Sequence, residues 1–300
     1  LSNNKTLTID DHSESFVIAE IGHNHRGSVD DCMKLFKSAK DSGANAVKLQ
    51  KRSNRNLYTK AMYNWIYTSE NSYGKTYGKH REALEFNLEQ YKELKNYAEE
   101  LGLIFFATPF DIESVDFLEE LDLPLYKISS SDLKNFELVK YIAEMQKPTI
   151  LSTGGANMKE VINTYDLINK VNKNLCIMQC VSSYPVDYSE LNLNVISTFR
   201  KEFPDTVIGF SSHDSGVTSV LSAYHLGARI FEKHFTLNRA WKGTDHAFSL
   251  EPMGLKRIVR DLSRARISLG NGTKERIKNE EKPMSKMEKI IVAYKKIEKG

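Results

Sequence analysis

"FVIAEIGHNHRG", residues 16–27, carries the choice of fold. Five of its first six residues are apolar and partly β-branched, so they read as a buried strand, and the turn that follows decides which kind of sheet the strand belongs to. A doubly wound, dinucleotide-binding sheet leans on a G-x-G-x-x-G turn after its first strand. "GHNHRG" lacks that spacing. The run also ends on Glu20, shortly before Asn24 and His25, where a strand buried on both faces should stay apolar.

Seven comparable runs follow: "NAVKLQ" (45–50), "LIFFAT" (103–108), "PLYKIS" (124–129), "PTILST" (148–153), "NLCIMQC" (174–180), "TVIGFS" (206–211) and "ARIFEKHF" (228–235). Segments with helical spacing of apolar residues separate them, such as "DDCMKLFKSAKDSG" with its glycine stop and "MKEVINTYDLINKV". Eight βα units in roughly 255 residues match the size of a (β/α)8 TIM barrel, so that α/β fold is expected. The stretch 51–87, rich in Tyr, Asn and Lys, interrupts the rhythm. A connection that long usually serves as a lid or binding loop.

The 300 residues are 40% hydrophobic, enough for a large core. Lys and Arg total 42 against 39 Asp and Glu, a net charge of +3 that excludes the one-sided field of a dedicated nucleic-acid binder. Any anionic partner is therefore expected to be small and met locally. Cys176 and Cys180 lie four apart in one expected strand, about 13 Å at 3.3 Å per residue, too far for a disulfide. With Cys32 they read as reduced core residues. No apolar run approaches the ~20 residues needed to span a bilayer, and the polar start "LSNNKTLTIDDHSES" is no secretory signal, so a cytoplasmic setting without a membrane partner is expected.

Barrel active sites sit at the C-terminal ends of the strands. The polar residues there are Glu20; Lys48 and Gln50; Thr108; Lys127 before Ser130; Ser152; Ser182 and Tyr184; Ser211 and His213; and Glu232 and His234. Side chains alternate across a strand, so Lys48 with Gln50, Ser211 with His213, and Glu232 with His234 each share a face. One such residue is readily a solvated rim group. All eight strands ending this way point to a common site. His213 and His234, from neighbouring strands, suit a divalent transition metal in an open site, with Glu20 nearby as a carboxylate. Lys48, Lys127, Ser130, Ser152 and Ser211 supply the charge and hydroxyl donors that a phosphate plus a carboxylate would need. Buried lysines could instead form a Schiff base with a carbonyl substrate, as in an aldolase, although a metal pair would then be redundant. A catalytically silent scaffold barrel would not need so full a set of polar strand ends.

The ordered motifs "IAEIGHNHRGS", "AVKLQ", "FFATPFD", "YKISSSD", "ILSTGG", "SSYP", "GFSSHD", "EKHFTLNRAWKGTDHAFSLEP" and "EKP" resemble the sialic acid synthase family of phosphoenolpyruvate-condensing enzymes, from residue 16 to about 300. The resemblance implies a barrel followed by an antifreeze-like domain, and condensation of phosphoenolpyruvate with N-acetylmannosamine to N-acetylneuraminate and phosphate. It implies that His213 and His234 hold a divalent cation, manganese first, with magnesium or cobalt as alternatives, and that Glu20 is the essential carboxylate beside it. Lys48, Thr108, Lys127, Ser130, Ser152 and Ser211 match positions that hold phosphoenolpyruvate, with Gln50 alongside. Tyr184 and Asp245 match sugar positions, with Ser182 where the family can carry Asn. The family's lid asparagine has no assigned counterpart in 51–87, and both departures leave the exact sugar open.

"KMEKIIVAYKKIEKG" resembles the linker and first strand of the antifreeze-like domain. The resemblance thus implies residues 1–282 as the barrel domain, with 1–15 an N-terminal extension, and 283–300 as the start of a missing or truncated second domain. In the family that domain reaches across a homodimer to give the sugar's acyl group an arginine. Here that arginine is lacking. Related aldoses, as in legionaminic, pseudaminic or deoxy-octulosonic acid synthesis, are the nearest alternatives, followed by a sugar-acid aldolase or lyase.

Overall fold

Each expected strand forms, and all eight pair in parallel and in chain order. In the computed structural model, which describes residues 8–300, they are β1 (Phe16–Gly22), β2 (Ala46–Lys51), β3 (Ile104–Pro109), β4 (Tyr126–Ile128), β5 (Thr149–Ser152), β6 (Leu175–Cys180), β7 (Val207–Ser212) and β8 (Ile230–His234). β1 pairs with both β2 and β8, so the sheet closes on itself as a (β/α)8 TIM barrel.

The inward face of the staves is apolar at one end and polar at the other. Phe16, Ile18, Ala46, Phe106, Ile150, Cys176, Met178 and Ile230 pack together inside the barrel. Two residues further along the same faces come Glu20, Lys48, Thr108, Ser152, Cys180 and Glu232. The interior is so tight that a Cβ on Gly209 would lie 2.8 Å from the Ile230 carbonyl oxygen and 3.0 Å from the Met178 side chain. Period-two alternation thus builds a packed plug below and a polar mouth above.

The outward faces pack on helices. The helix Val29–Asp41 starts because the Ser28 hydroxyl accepts from the Asp31 N–H, and it buries Cys32, Leu35, Phe36 and Ala39 at helical spacing against the strands. Burying Leu35 and Phe36 is each worth about 1.5–3 kcal/mol.

The 51–87 stretch, read as a loop, contains the short helices Asn54–Leu57, Lys60–Asn64 and Tyr77–Glu82. Gly78 sits under the Tyr63 ring, where any Cβ would clash. Asn71 accepts from the Gly243 N–H at 3.0 Å and the Tyr73 hydroxyl donates to the Lys242 carbonyl, tying this segment to the loop after β8. Cys32, Cys176 and Cys180 are buried free thiols. Among the described residues, no helix is long and apolar enough to cross a membrane. The chain divides into compact units Leu1–Ala265 and Arg266–Gly300. The second contains the helix Lys278–Met287 and an Arg276–Glu288 ion pair of 3.2 Å.

Candidate active site

Across the mouth runs a buried chain of alternating charge. Glu20 and Lys48 are register partners on β1 and β2, and the Lys48 ammonium stands 2.8 Å from Glu20 Oε2 and 3.7 Å from Glu232 Oε1. Lys48 also donates to Thr108 Oγ1 at 2.9 Å. Lys127 Nζ lies 3.2 Å from Glu232 Oε1, on which the Ser211 hydroxyl converges at 3.4 Å. Gln50 Nε2 donates to Glu20 Oε1 at 2.8 Å. Two ammoniums and two carboxylates offset each other's burial, which none could bear alone.

Burial opposes ionisation of Glu232, but Lys127 and Lys48 outweigh it and draw its carboxyl down to about 2. Burial likewise works against the Lys48 charge, and Glu20 and Glu232 overturn it, raising its pKa. Lys48 is therefore an ammonium at neutral pH. That state suits it to holding anions and leaves no free amine for a Schiff base.

Ser152 Oγ and Glu232 Oε2 are buried without a hydrogen-bond partner, so this pocket has polar capacity unmet by the protein. Ser130 Oγ accepts from the Gly154 N–H at 2.9 Å. A Cβ at Gly154 would collide with the hydroxyls of Ser182 and Ser130, so glycine lets these two predicted residues converge.

On the β7–β8 side stand two imidazoles, with His213 and His234 ring centroids 5.5 Å apart. His213 Nδ1 lies 2.8 Å from the Val181 carbonyl oxygen, which can only accept. The network thus assigns the proton to Nδ1 and leaves the Nε2 lone pair available. Burial, reinforced by His234, lowers the His213 pKa to about 3 and keeps the ring neutral. His234 Nδ1 is buried with no hydrogen-bond partner, 3.7 Å from Asp245 Oδ2. The Tyr184 ring packs at a tilt against His213, centroids 4.1 Å apart, and Phe248 lies edge-on 5.0 Å from His234. Among the described residues no three His, Cys, Asp or Glu side chains form a metal cage. Two imidazoles, one with an assigned lone pair and one with an unpartnered nitrogen, fit a cation held with open positions.

Glu20 pairs in register with His234, so β1 brings it beside the imidazoles, but its carboxylate is bonded to Lys48 and Gln50. A bulge between Glu20 and Gly22 ends the regular pairing here. Gly22 has φ +52°, and a Cβ would come within 3.2 Å of Glu20 Oε1 and 3.4 Å of Asp245 Oδ2. The turn therefore needs glycine for both conformation and space.

Three strand-end residues do other work. Asn24 donates to the Phe235 carbonyl and to Ser249, and His25 packs on Phe86, so both support the loops. Lys233 points to the opposite face from Glu232 and His234 and donates to the Asp214 carbonyl and carboxylate. Sequence reasoning passed over the counter-ion role of Glu232, the edge-on packing of Phe248 against the imidazoles, and Arg52 and Arg81. Arg52 continues the Lys48–Gln50 parity and was legible in "KLQKR"; Arg81 is delivered by the helix Tyr77–Glu82 and carried no such signal.

Residues 35–274 match the NeuB family. The chain is 40% identical over 285 residues to an N-acetylneuraminate-9-phosphate synthase from Homo sapiens, covering 95% of this chain and 79% of the relative. It is 36% identical over 291 residues to an N,N'-diacetyllegionaminic acid synthase from Campylobacter jejuni, covering 96% and 87%. Among solved structures, an N-acetylneuraminic acid synthetase from Leptospira borgpetersenii in complex with citrate is similar at a TM-score of 0.79, with 30% identity and 92% of each chain covered.

Proposed function

The chain belongs to the NeuB family, and we propose that it is a phosphoenolpyruvate-dependent sialic-acid-type synthase, a transferase that joins phosphoenolpyruvate, N-acetylmannosamine and water into N-acetylneuraminate and phosphate. The observation that carries the reading is the buried Glu20–Lys48–Glu232–Lys127 chain facing the His213–His234 pair in one barrel mouth.

Lys48 and Lys127, with Thr108, Ser130, Ser152 and Ser211, hold the phosphate and carboxylate of phosphoenolpyruvate. Gln50 stands beside that phosphoenolpyruvate site, and Ser182, Tyr184 and Asp245 orient the open-chain sugar. His213 and His234 would hold a divalent cation, manganese first with magnesium or cobalt as alternatives, which when bound supplies Lewis acidity toward an aldehyde oxygen. C3 of the enol attacks the aldehyde carbon and C2 becomes cationic. Glu20 takes a proton from the water that adds at C2, and the tetrahedral intermediate expels phosphate with C–O cleavage. The two ammoniums stabilise phosphoryl charge throughout, and alignment of the substrates supplies much of the remaining acceleration.

The legionaminic acid synthase likeness and Ser182 favour one variation, the same chemistry on another N-acyl aldose. A homodimer and a cytoplasmic setting complete the proposal. The test is phosphate release from phosphoenolpyruvate with N-acetylmannosamine and a panel of aldoses, with manganese and after chelation. Release restored by manganese is expected; release that survives chelation would remove the cation, and trapping of a substrate–lysine adduct by borohydride would replace the reading with an aldolase.

A further inference from the structure

The barrel ladder holds only one of the two imidazoles. His234 is the last residue of β8 and pairs with Glu20, whereas His213 lies one residue beyond the end of β7, where the final pairing with β8 joins Ser212 to Lys233. Two side chains can share one small ion only if their nitrogens keep a fixed separation. Strand pairing gives His234 that fixity and stops short of His213. The Val181 carbonyl orients the His213 ring, and the Val186 N–H donates to the His213 carbonyl at 3.3 Å. Both contacts come from the connection between β6 and β7, so neither ties His213 to β8.

Lys233 makes that tie from the outer side of the sheet. It stands between Glu232 and His234, and the pleat turns its side chain away from both. Its ammonium donates to the Asp214 carbonyl oxygen at 2.7 Å and to Asp214 Oδ1 at 3.0 Å. Asp214 follows His213, so a side chain of β8 grips the residue next to the imidazole of β7. Asp214 Oδ1 also accepts from the Ser212 hydroxyl, on β7, and at 2.9 Å from the Ser219 hydroxyl, in the helix Thr218–His225. Both Lys233 and Asp214 are buried, and Asp214 Oδ2 has no hydrogen-bond partner. A buried ion pair seldom stabilises a fold more than apolar side chains of the same size, and an unmet buried oxygen costs about 1–3 kcal/mol. Stability is thus a poor account of this pair, and its place behind both imidazoles is a better one.

We propose that Lys233 and Asp214 are positioning residues for the cation: the pair locks the end of β7 to β8, so that His213 and His234 present their nitrogens at one separation. The proposal rests on the cation reading above and adds the residues that set its affinity from the opposite face of the sheet.

The test uses the full chain and the double substitution Lys233→Met with Asp214→Asn, which removes both charges together and leaves Ser212 and Ser219 an oxygen to donate to. Calorimetric titration with manganese(II) alone reads affinity, urea unfolding reads stability, and nitrogen NMR of the metal-free protein reads the imidazoles, with His213→Gln identifying the His213 signals. The double variant should bind manganese about 10- to 100-fold more weakly than wild type, keep a urea midpoint close to wild type, and lose the single Nδ1–H form of His213. Lys233→Arg should retain part of the affinity. Wild-type affinity in the folded double variant overturns the proposal, as does a lowered urea midpoint with the His213 signals unchanged. Should the double variant fail to fold, Ser219→Ala, which removes one bond to Asp214 and strands no charge, takes its place; a weakening of about two- to tenfold is expected, and no weakening overturns the proposal. Manganese uptake that survives His213→Ala, or no uptake by wild type, would defeat the cation reading itself. The metal-free spectra then decide: loss of the single His213 form in the variant upholds the lock, and identical spectra dismiss it.

Discussion

Glu20 sits where a single oxygen-to-nitrogen change separates binding from chemistry. Glu20→Gln keeps the shape and can still meet Gln50, but it removes a base and one of the two carboxylates facing Lys48. Phosphate release should fall about 10²- to 10⁴-fold while both substrates still bind. Stopped assays of phosphate alongside calorimetry of phosphoenolpyruvate binding check this, and near-normal turnover would dismiss Glu20 as the base. The residue was legible because it closes an apolar run, as were His213 and His234 by their parity with Ser211 and Glu232. Lys233 shows the limit of that reading: it is equally polar and equally terminal, yet the pleat turns it to Asp214. Arg81 was illegible for another reason. Its position is set by the packing of Tyr77 and Tyr63 within the long segment, which no local pattern in the sequence encodes.

At the level of strands and helices, alternation predicts the inside of the barrel more sharply than its connections. Gly209 is the clearest case on β7, since its missing side chain makes room for Met178 and the Ile230 backbone. Gly209→Ala forces a Cβ into contacts of 2.8 and 3.0 Å and should cost about 1–3 kcal/mol by overpacking. Urea unfolding measures it; an unchanged midpoint would mean that the interior yields at no cost. The helix Val29–Asp41 was readable from its apolar spacing and glycine stop, whereas the helices of 54–82 span only a turn or so each. Segments that short cannot show a helical period, and tertiary contacts decide them.

For the whole molecule, closure of eight parallel staves was legible because strand and helix patterns alternate so regularly, but the burial of its histidines was not. His23, His25, His80 and His246 are all buried. Burial is the leading cause in each case; it pulls His25 to about 3 and both His80 and His246 to about 4, with His23 also well below its usual value. His25 is locked further, because its Nδ1 accepts from the Gly27 N–H and cannot be protonated without losing that bond. A group whose folded pKa is depressed binds protons more readily when unfolded, so its stabilisation is complete above the unfolded value near 6.5 and fades as the pH falls toward the folded value. Glu232, held near 2 against an ordinary 4.5, loses its contribution only at lower pH. Between about pH 6.5 and 4.5 the histidines therefore dominate, each fully buried one at up to about 1.4 kcal/mol per pH unit. Urea midpoints in the presence of a chelator should drop from pH 7.5 to 5.5, and His25→Gln should flatten the slope. Coincident midpoints at the two pH values would show that the folded barrel accepts these protons as easily as the unfolded chain does.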